Sequence, residues 1–397
     1  MRSSVCLLTN AYPDFPDSNR VVFIRHLAHL LSRQGWKVSV VVPRVFSKSK
    51  RIEREGAIEI RRFSSFLNNR LLVEYSRTPV FRLSGYMLAG LIATVSCVWK
   101  QRCDLIHAHW AIPAGLIALL AGGICRKPVV VTTHGSDILV TPRNNPLIRR
   151  LVRLVLKRAD AVTSVAEHLT SEIVDMGIPR ERIVTFPMSV VTESFGVDGP
   201  AIEDPGAEHV VFSNRSLYPV YSVESLVRAV PMILEKTPEA RVLIAGEGPE
   251  AGRLAALARE LDVTGRIEFL GAVAHEQMPK YLRAASVYVS TALSDGASVS
   301  LLEAMACGTF PVVADIPANR EWIEDGENGF LFPPGDARVL ARKIEQGLMR
   351  EPLRRKARET NIRLIEERAK WSSNVEKLLG LYETVMSRSR AKSQGKG

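Results

Sequence analysis

One loop and the helix that follows it carry two carboxylates at a spacing that suits ligand binding. The stretch from Val287 to Val313 has the pattern of a strand, a turn, a helix and a second strand. Asp295 lies in the turn, and Glu303 follows eight residues later, within the first turns of the predicted helix. The residues between them are mostly small, so a ligand can approach the backbone closely. The first amide groups of a helix lack partners within it and can bind an anion.

These groups suit two different parts of one ligand. Amides at a helix start bind a phosphate, whereas a carboxylate accepts hydrogen bonds from sugar hydroxyl groups. The combination predicts a ligand that carries both a diphosphate and hydroxyl groups, which is the chemistry of a nucleotide sugar. The alternative is that Asp295 is a solvated loop acid and Glu303 an exposed helix acid.

This segment resembles the signature of glycosyltransferase family 4, in which an acid, seven residues and a Glu are followed by an A-M-A-C-G sequence. The chain reads LEAMACG from Leu302 to Gly308, and Pro311 and Val312 follow as in the family. The first acid of the signature is usually Glu, and here it is Asp295. The resemblance extends over nearly the whole chain.

The resemblance implies the α/β architecture called GT-B, in which two Rossmann-like doubly wound domains face each other across a cleft. It implies a retaining hexosyltransferase that takes a nucleotide diphosphate sugar as donor substrate. It also implies donor binding that needs no metal ion or other cofactor. In agreement with that expectation, no D-x-D pair occurs in the sequence, so a metal-bridged diphosphate has no obvious ligands.

The resemblance assigns roles to residues in both halves of the chain. Glu303 would accept from the ribose hydroxyls, and Arg215 would neutralise charge on the leaving diphosphate. Tyr221 lies near the position of a Lys that the family usually carries, and would assist Arg215. His134, in a T-H-G-x-D context, would reach the donor sugar; the alternative is an ordinary core or loop histidine. Asp295, with His134 and Glu303, completes the catalytic candidates, and the other donor-binding candidates are Gly246, Gly248, Val273, Ala297, Ser298 and Val299.

Two further sets of residues near the predicted strand ends are candidates with weaker signals. The loop from Asp14 to Arg20 lacks the paired glycines that the family usually has there, and Asn19, Arg20 and Arg25 are candidates to replace them. His107 and His109 end a predicted strand. We interpret them as pointing to opposite faces, one buried and structural and one lining the cleft.

The strand and helix patterns predict a chain of two domains. The expected boundaries are an N-terminal acceptor-side domain at 1–191, a linker at 192–208, a C-terminal donor-nucleotide-binding domain at 209–370, a helix crossing back to the first domain at 371–386, and a disordered basic tail at 387–397.

The positive charge of the chain is concentrated in its first half. Residues 1–200 hold 27 Lys and Arg against 15 Asp and Glu, a balance of +12, and residues 201–397 hold 26 against 27. This asymmetry predicts an anionic partner, such as a membrane surface or an anionic acceptor. We exclude nucleic acid as a partner because no nucleic-acid-binding motif is present. The alternative is a solvated basic surface that only aids solubility.

A basic amphipathic helix is predicted from Leu147 to Arg158. Arg149, Arg150 and Arg153 share one side of it, and its leucines are expected on the other side. Such a helix can lie on an anionic bilayer, or its apolar stripe can simply pack on the sheet. The apolar stretch from Leu83 to Trp99 is predicted to be a buried helix rather than a membrane span.

The compartment and the overall function complete the expectations. No secretory signal is recognised, and the five Cys form no C-x-x-C, which favours a cytoplasmic protein with reduced thiols. We expect it to transfer a sugar to a glycan or lipid-linked acceptor in cell-surface polysaccharide or glycolipid synthesis, with peripheral attachment to the inner face of the membrane. The alternatives are a nucleotide-sugar epimerase or hydrolase of the same fold, and a non-catalytic nucleotide-sugar-binding module.

Overall fold

The computed structural model describes residues 3–15, 21–66, 80–140, 145–202 and 209–394. The chain divides into two compact units. Unit 1 comprises Met1–Phe186 and Ser372–Gly397, and unit 2 comprises Pro187–Trp371. Each unit is an α/β domain built on its own mainly parallel sheet.

Unit 1 has an eight-stranded sheet in the order β3-β4-β2-β1-β5-β6-β7-β8, in which only the β3–β4 pair is antiparallel. Because the chain winds outward in both directions from β1, the carboxyl ends of β1 and β5 form the switch point at which such sheets bind ligands. The strands are β1 Ser4–Thr9, β2 Lys37–Arg44, β3 Ile52–Glu55, β4 Ile58–Ser64, β5 Leu105–His109, β6 Val129–Thr133, β7 Ala161–Ser164 and β8 Ile183–Thr185.

The helices of unit 1 connect these strands. They are α1 Val22–Arg33, α2 Val80–Gln101, α3 Leu116–Cys125, α4 Pro146–Arg158 and α5 Glu167–Asp175. Asn145 caps α4, since its side chain accepts hydrogen bonds from the amides of Leu147 and Ile148.

Helix α2 differs from the buried helix that the sequence predicts. One side packs on β2 and β4, but the other carries exposed leucine, isoleucine and tryptophan side chains. Because the helix is apolar on both sides, the sequence does not show which side is buried. Within the described residues, Arg82–Gln101 is the one helical segment long and apolar enough to cross a membrane. Its contacts with β2 and β4 are those of a helix in an α/β layer.

Unit 2 has a six-stranded parallel sheet in the order β11-β10-β9-β12-β13-β14. Its strands are β9 Val210–Ser213, β10 Arg241–Ala245, β11 Ile267–Gly271, β12 Val287–Ser290, β13 Phe310–Ala314 and β14 Phe330–Phe332. Its helices are α6 Val223–Lys236, α7 Ala251–Glu260, α8 Met278–Ala284, α9 Val299–Ala306, α10 Pro317–Arg320, α11 Ala337–Met349 and α12 Glu351–Arg368. The switch point lies between β9 and β12.

Alternate residues of the unit 2 strands point to the two faces of the sheet. Val211 and Val287 belong to the hydrophobic cluster on one face, and their neighbours Phe212 and Tyr288 belong to the cluster on the other. Both faces are therefore covered, which is why these strands are continuously apolar in the sequence.

The last helix, α13, spans Trp371–Gln394, and its part from Ser372 onward belongs to unit 1. Tyr382 on this helix is fully buried against Trp36 and His107 of that unit. The prediction that the helix ends at Met386 and gives way to a disordered tail is wrong for residues 387–394. The segment 387–394 consists of residue types that tolerate a helix, namely Ser, Arg, Ala, Lys and Gln, and it contains no Gly or Pro before Gly395. Of the predicted linker, residues 203–208 lie outside the described part of the chain.

Candidate functional site

Arg215, just after β9, is the centre of a polar cluster at the switch point of unit 2. Its Nη2 lies 2.7 Å from Oδ2 of Asp295, and its Nη1 lies 2.6 Å from Oγ of Ser300 and 3.4 Å from Oγ of Ser298. The guanidinium is buried, and burial opposes its charge. The adjacent carboxylate of Asp295 outweighs that cost and raises the pKa of Arg215. The result is a fixed cation at the end of the strand.

Tyr221 supports this cation with its ring. The Arg215 guanidinium carbon lies 4.3 Å from the centroid of the Tyr221 ring, a cation–π contact. The backbone carbonyl of Tyr221 accepts a hydrogen bond from the hydroxyl of Thr291, which ties this loop to the end of β12. The structure thus shows Tyr221 positioning Arg215 through its ring, a contact that the sequence did not indicate.

The start of α9 differs from the prediction at one amide. Ser298 has φ −80° and ψ 80°, and the amide of Val299 donates to the carbonyl of Ala297 over 2.9 Å. This inverse γ-turn engages the Val299 amide. The prediction that this amide is free to bind an anion is therefore wrong. The amides of Ala297, Ser298 and Ser300 donate to no group within the described residues, and they remain for an anion.

Glu303 lies on α9, nearly buried, and is paired with a residue that the sequence did not single out. Its Oε1 lies 2.8 Å from Nε2 of His275. Burial works against a charge on His275, but the hydrogen bond and the negative charge of Glu303 outweigh it and raise the pKa of His275. The signal that could have found His275 is its position four residues beyond Gly271, where a short 3-10 helix begins after the carboxyl end of β11.

Gly246 and Gly248 follow β10 and shape the loop that carries Arg215. A Cβ on Gly246, which has φ +144°, would lie 2.4 Å from the carbonyl oxygen of Arg215. A Cβ on Gly248 would lie 2.3 Å from the carbonyl oxygen of Leu217. Because only glycine permits these approaches, the two residues let the loop after β10 pack directly on the backbone of Arg215 and Leu217. Val273 follows β11, with its side chain in the core; whether its backbone meets a base stays a prediction.

In unit 1, a buried carboxylate shapes the turn that carries His134. Oδ1 of Asp137 accepts hydrogen bonds from the amides of His134 and Gly135, at 3.0 and 3.1 Å. Its Oδ2 accepts from the amide of Ala111 at 2.7 Å, which joins the loop after β6 to the loop after β5. Burial raises the pKa of Asp137, against the effect of these amides. Asp137 therefore positions His134 at the carboxyl edge of the sheet.

His109 contacts His134 directly. Nδ1 of His109 lies 3.0 Å from Nε2 of His134. Burial lowers the pKa of His109 to about 3 and that of His134 well below its usual value, so both rings are neutral at pH 7. Nε2 of His109 is buried without a partner among the described residues. An unpaired lone pair is less costly than an unpaired N–H, so we assign the shared proton to Nδ1 of His109. His134 then carries its own proton on Nδ1.

The prediction that His107 and His109 point to opposite faces is wrong. Their ring centroids are 4.4 Å apart, because residues two apart in a strand share a face. His107 is structural, as expected of one of the pair. Its Nδ1 lies 2.6 Å from the hydroxyl of Tyr382, and its Nε2 lies 2.6 Å from the hydroxyl of Thr132. Across the described residues, no group of three or more potential ligands is arranged to hold a metal ion.

Two aromatic side chains that the sequence did not single out complete the surroundings of His134. The Trp110 ring lies 4.4 Å from the His134 ring, and the Phe23 ring lies 5.2 Å from it. Trp110 has φ +72° and ψ 135°, an unusual backbone for a bulky residue. Of the predicted substitutes for the glycine loop, Asn19 and Arg20 lie outside the described residues, and Arg25 pairs with Glu55 at 3.0 Å.

Helix α4 displays its cations as predicted, but its apolar pattern differs. Arg149, Arg150 and Arg153 are exposed. Leu147 and Leu154, expected on the opposite, packed side, are exposed too. The buried residues of α4 are Val152, Val155 and Leu156. The outer side of α4 therefore mixes leucine with arginine.

Comparison with known protein families covers most of the chain. Residues 21–189 match the glycosyl transferase 4-like domain, and residues 200–364 match the family described as glycosyl transferases group 1. Among similar curated proteins, the N-acetyl-alpha-D-glucosaminyl L-malate synthase of Bacillus anthracis is 26% identical over 79% of this chain and 82% of its own. The phosphatidyl-myo-inositol mannosyltransferase of Mycobacterium tuberculosis is 28% identical over 71% of this chain and 74% of its own.

Solved structures share the fold. The sucrose-phosphate synthase of Thermosynechococcus elongatus superposes with a TM-score of 0.82 at 18% identity, covering 98% of this chain and 100% of that one. Anabaena HepE in complex with UDP-glucose has a TM-score of 0.74 at 17% identity, covering 96% and 99%. The two family matches together cover most of the chain, and both units are α/β domains with mainly parallel sheets, as in the GT-B fold. The chain therefore belongs to the glycosyltransferases of group 1, which are of the family 4 type.

Proposed function

We propose that this glycosyltransferase moves a hexose-type sugar from a nucleotide diphosphate sugar to a glycan or lipid-linked acceptor, with retention of the anomeric configuration. The observation that carries the donor assignment is the buried Arg215 guanidinium beside the open amides of α9. A fixed cation and backbone amides together suit a diphosphate. Retention rests on the family resemblance, and HepE, which shares the fold, binds UDP-glucose.

Arg215 would act most strongly when the bond between the sugar and the phosphate breaks. Negative charge then grows on the leaving diphosphate, and a preorganised cation stabilises that charge without reorganisation. Glu303 would accept hydrogen bonds from the ribose through the oxygen that His275 leaves free. His134, by family resemblance, would contact the donor sugar. We propose that donor binding needs no metal ion, because Arg215 and the amides supply the groups that meet the phosphate charge.

A donor scan tests this proposal. Thermal stabilisation is measured with UDP-glucose, UDP-N-acetylglucosamine, UDP-galactose and GDP-mannose, with and without EDTA, for wild type and Glu303→Ala. The proposal predicts a shift with one donor that survives EDTA and falls in the variant. No shift with any donor would contradict the assignment of the site. Release of the sugar in the absence of an acceptor would favour the hydrolase or epimerase alternative.

The acceptor side is proposed to be unit 1, at a cytoplasmic membrane surface. The support is the excess of positive charge in residues 1–200 and the exposed cations of α4. One relative acts on a phosphatidyl-myo-inositol acceptor by its name. Replacing Arg149, Arg150 and Arg153 with Gln should weaken binding to anionic vesicles, which co-sedimentation measures. Unchanged binding would contradict the part of the proposal that concerns α4.

A further inference from the structure

The outer side of α2 presents a stripe of large apolar side chains. Leu88, Ile92 and Trp99 are 60%, 61% and 62% exposed. Ile92 follows Leu88 by four residues, and Trp99 follows Ile92 by seven. Because each residue turns the helix by about 100°, all three lie on one side of it. The opposite side is covered by the sheet, where Thr94, Cys97 and Val98 are buried. The stripe is therefore additional to the core packing of α2.

The neighbouring helix α3 also exposes large apolar side chains. Gly90 of α2 lies so close to α3 that a Cβ there would be 2.8 Å from Cδ1 of Ile117. Leu120 and Ile124, one turn apart on α3, are 48% and 53% exposed. Single exposed leucines are common, but five large exposed apolar residues on two packed helices are more than isolated cases, and apolar surface of this extent usually marks an interaction site. We name these five residues the α2–α3 face.

Positive charges frame the α2–α3 face. Lys100 and Arg102 follow Trp99, Arg126 follows the end of α3, and all three are exposed. Helix α4 is the next neighbour, because a Cβ on Gly115, just before α3, would be 2.9 Å from Val155 of α4. Its outer side adds exposed arginine and leucine side chains, described above.

Two carboxylates lie near the same ends of the helices and offset part of this positive charge. Asp104 accepts a hydrogen bond from the amide of Ser4 at 2.9 Å. Asp160 accepts one from the amide of Val129 at 2.9 Å. Both acids keep their negative charge at the amino ends of strands, but the exposed Lys100, Arg102 and Arg126 outnumber them.

We infer that the α2–α3 face lies on an anionic phospholipid bilayer, with α2 in the plane of the interface. An apolar patch framed by cations matches acyl chains bordered by anionic headgroups, and tryptophan at its edge suits the interfacial region. The sheet contacts of α2 fit a helix that lies on a bilayer rather than one that spans it. A second copy is a poorer occupant, because a two-fold contact would bring the same cations together.

This inference deepens the proposed function, since it rests on a lipid-linked acceptor and adds an apolar anchor to the cations of α4. Cations attract an anionic surface but do not insert into it, whereas the α2–α3 face supplies side chains that can leave water. The two contributions predict different behaviour. Binding through α4 alone should disappear at high salt, and binding that includes the α2–α3 face should persist in part.

Vesicle binding tests the inference. Co-sedimentation is measured with vesicles of equal parts phosphatidylcholine and phosphatidylglycerol, at low and high salt, for wild type and Leu88→Gln/Ile92→Gln. The matched control is Met349→Gln, which changes an equally exposed residue of unit 2, 64% exposed. Burying one leucine side chain is worth about tenfold or more in binding, so the double variant should bind at least about tenfold more weakly. The control should bind as wild type does.

Two outcomes would overturn the inference. One is a double variant that binds these vesicles as tightly as wild type. The other is a lipid-free dimer, seen by analytical ultracentrifugation, that the double variant dissociates; the α2–α3 face would then be a contact between copies. The fluorescence emission of Trp99 gives a second readout. It is obtained by subtracting the emission spectrum of Trp99→Phe from that of wild type. It should shift to shorter wavelength with vesicles.

The donor scan separates this inference from the proposed function. Donor-induced stabilisation should be equal in wild type and Leu88→Gln/Ile92→Gln, which also shows that the variant is folded. If vesicle binding follows the prediction and no donor binds wild type, the donor assignment fails and the α2–α3 face stands. If a donor binds and vesicles do not, the donor assignment stands and the inference about the α2–α3 face fails.

Discussion

The two units place opposite chemistry at the carboxyl ends of their strands. Unit 2 gathers charged groups, with Arg215 paired to Asp295 and Glu303 paired to His275. Unit 1 instead places two neutral imidazoles together, those of buried His109 and half-buried His134, beside aromatic rings. A charged site is suited to bind a diphosphate, and a neutral site to contact the sugar. The same α/β architecture therefore presents two different sets of groups at its strand ends.

The largest expected effect tests how unit 2 holds its cation. Gly248→Ala would place a Cβ 2.3 Å from a backbone oxygen that cannot move away easily. We expect a loss of about 3 kcal/mol in the free energy of unfolding, measured by urea denaturation. The control is Gly252→Ala in α7, where a Cβ meets nothing within 4 Å, and which should stabilise by about 0.5–1 kcal/mol. Equal effects of the two changes would contradict the role given to Gly248.

A smaller effect is expected when the partner of His134 in unit 1 is changed. His109→Leu removes the donor to Nε2 of His134, whereas the amide of His109→Asn can replace Nδ1–H. Losing one hydrogen bond of about 1–1.5 kcal/mol should lower the transfer rate roughly five- to tenfold in the Leu variant, with recovery in the Asn variant.

The ¹⁵N shifts of the His134 ring give an independent test of that assignment. In wild type they should show a proton on Nδ1 and a bare Nε2 at neutral pH. A proton on Nε2 of His134 would show that the hydrogen bond runs in the opposite direction. Equal rates in the Leu and Asn variants would show that His109 has only a packing role.

The smallest expected effect sets the two units against each other in their pH dependence. His275 has a raised pKa, so its stabilising contribution is present below about pH 6.5 and is lost as pH rises through its folded pKa. The pKa of His109 is lowered to about 3, so the unfolded state binds more protons between that value and about 6.5. Stability from unit 1 therefore falls on acidification.

Variants at the two positions measure these contributions separately. The difference in unfolding free energy between wild type and His275→Gln should shrink as pH rises. The unfolding free energy of wild type should fall relative to that of His109→Asn as pH falls. Urea denaturation at a series of pH values measures both. If the two differences in unfolding free energy, wild type minus His275→Gln and wild type minus His109→Asn, changed with pH in the same direction, the contrast between a charged and a neutral site would be contradicted.

The sequence predicts the unit 2 site well because most of its residues are contiguous. Asp295, Ser298 and Glu303 lie on one turn and one helix, so the local pattern alone brings them together. Arg215 joins them because β9 and β12 are neighbours in the parallel sheet, which the strand pattern also implies. The prediction of a free Val299 amide is wrong because the inverse γ-turn at Ser298 depends on two backbone angles that the residue types do not determine.

The unit 1 site was only partly predictable, because its residues come from separate strands. His109 and His134 are 25 residues apart and meet only because β5 and β6 pair in a particular register. The face of a helix is also ambiguous when leucines occur all round it, as α4 shows. Leu147 and Leu154 are exposed, while Val152 and Val155 are buried. Packing decides such cases, and the sequence pattern does not.

Titration with UDP and GDP tests the central claim, that Arg215 holds the donor diphosphate, most directly. Calorimetry is carried out on wild type, Arg215→Met, Arg215→Lys and the control Arg253→Met, which changes a surface arginine of α7. Two charge-assisted hydrogen bonds are worth about 3 kcal/mol or more, so Arg215→Met should bind one nucleotide about a hundredfold more weakly. Arg215→Lys should be intermediate, and Arg253→Met should match wild type. Nucleotide binding by folded Arg215→Met within twofold of wild type would contradict the account.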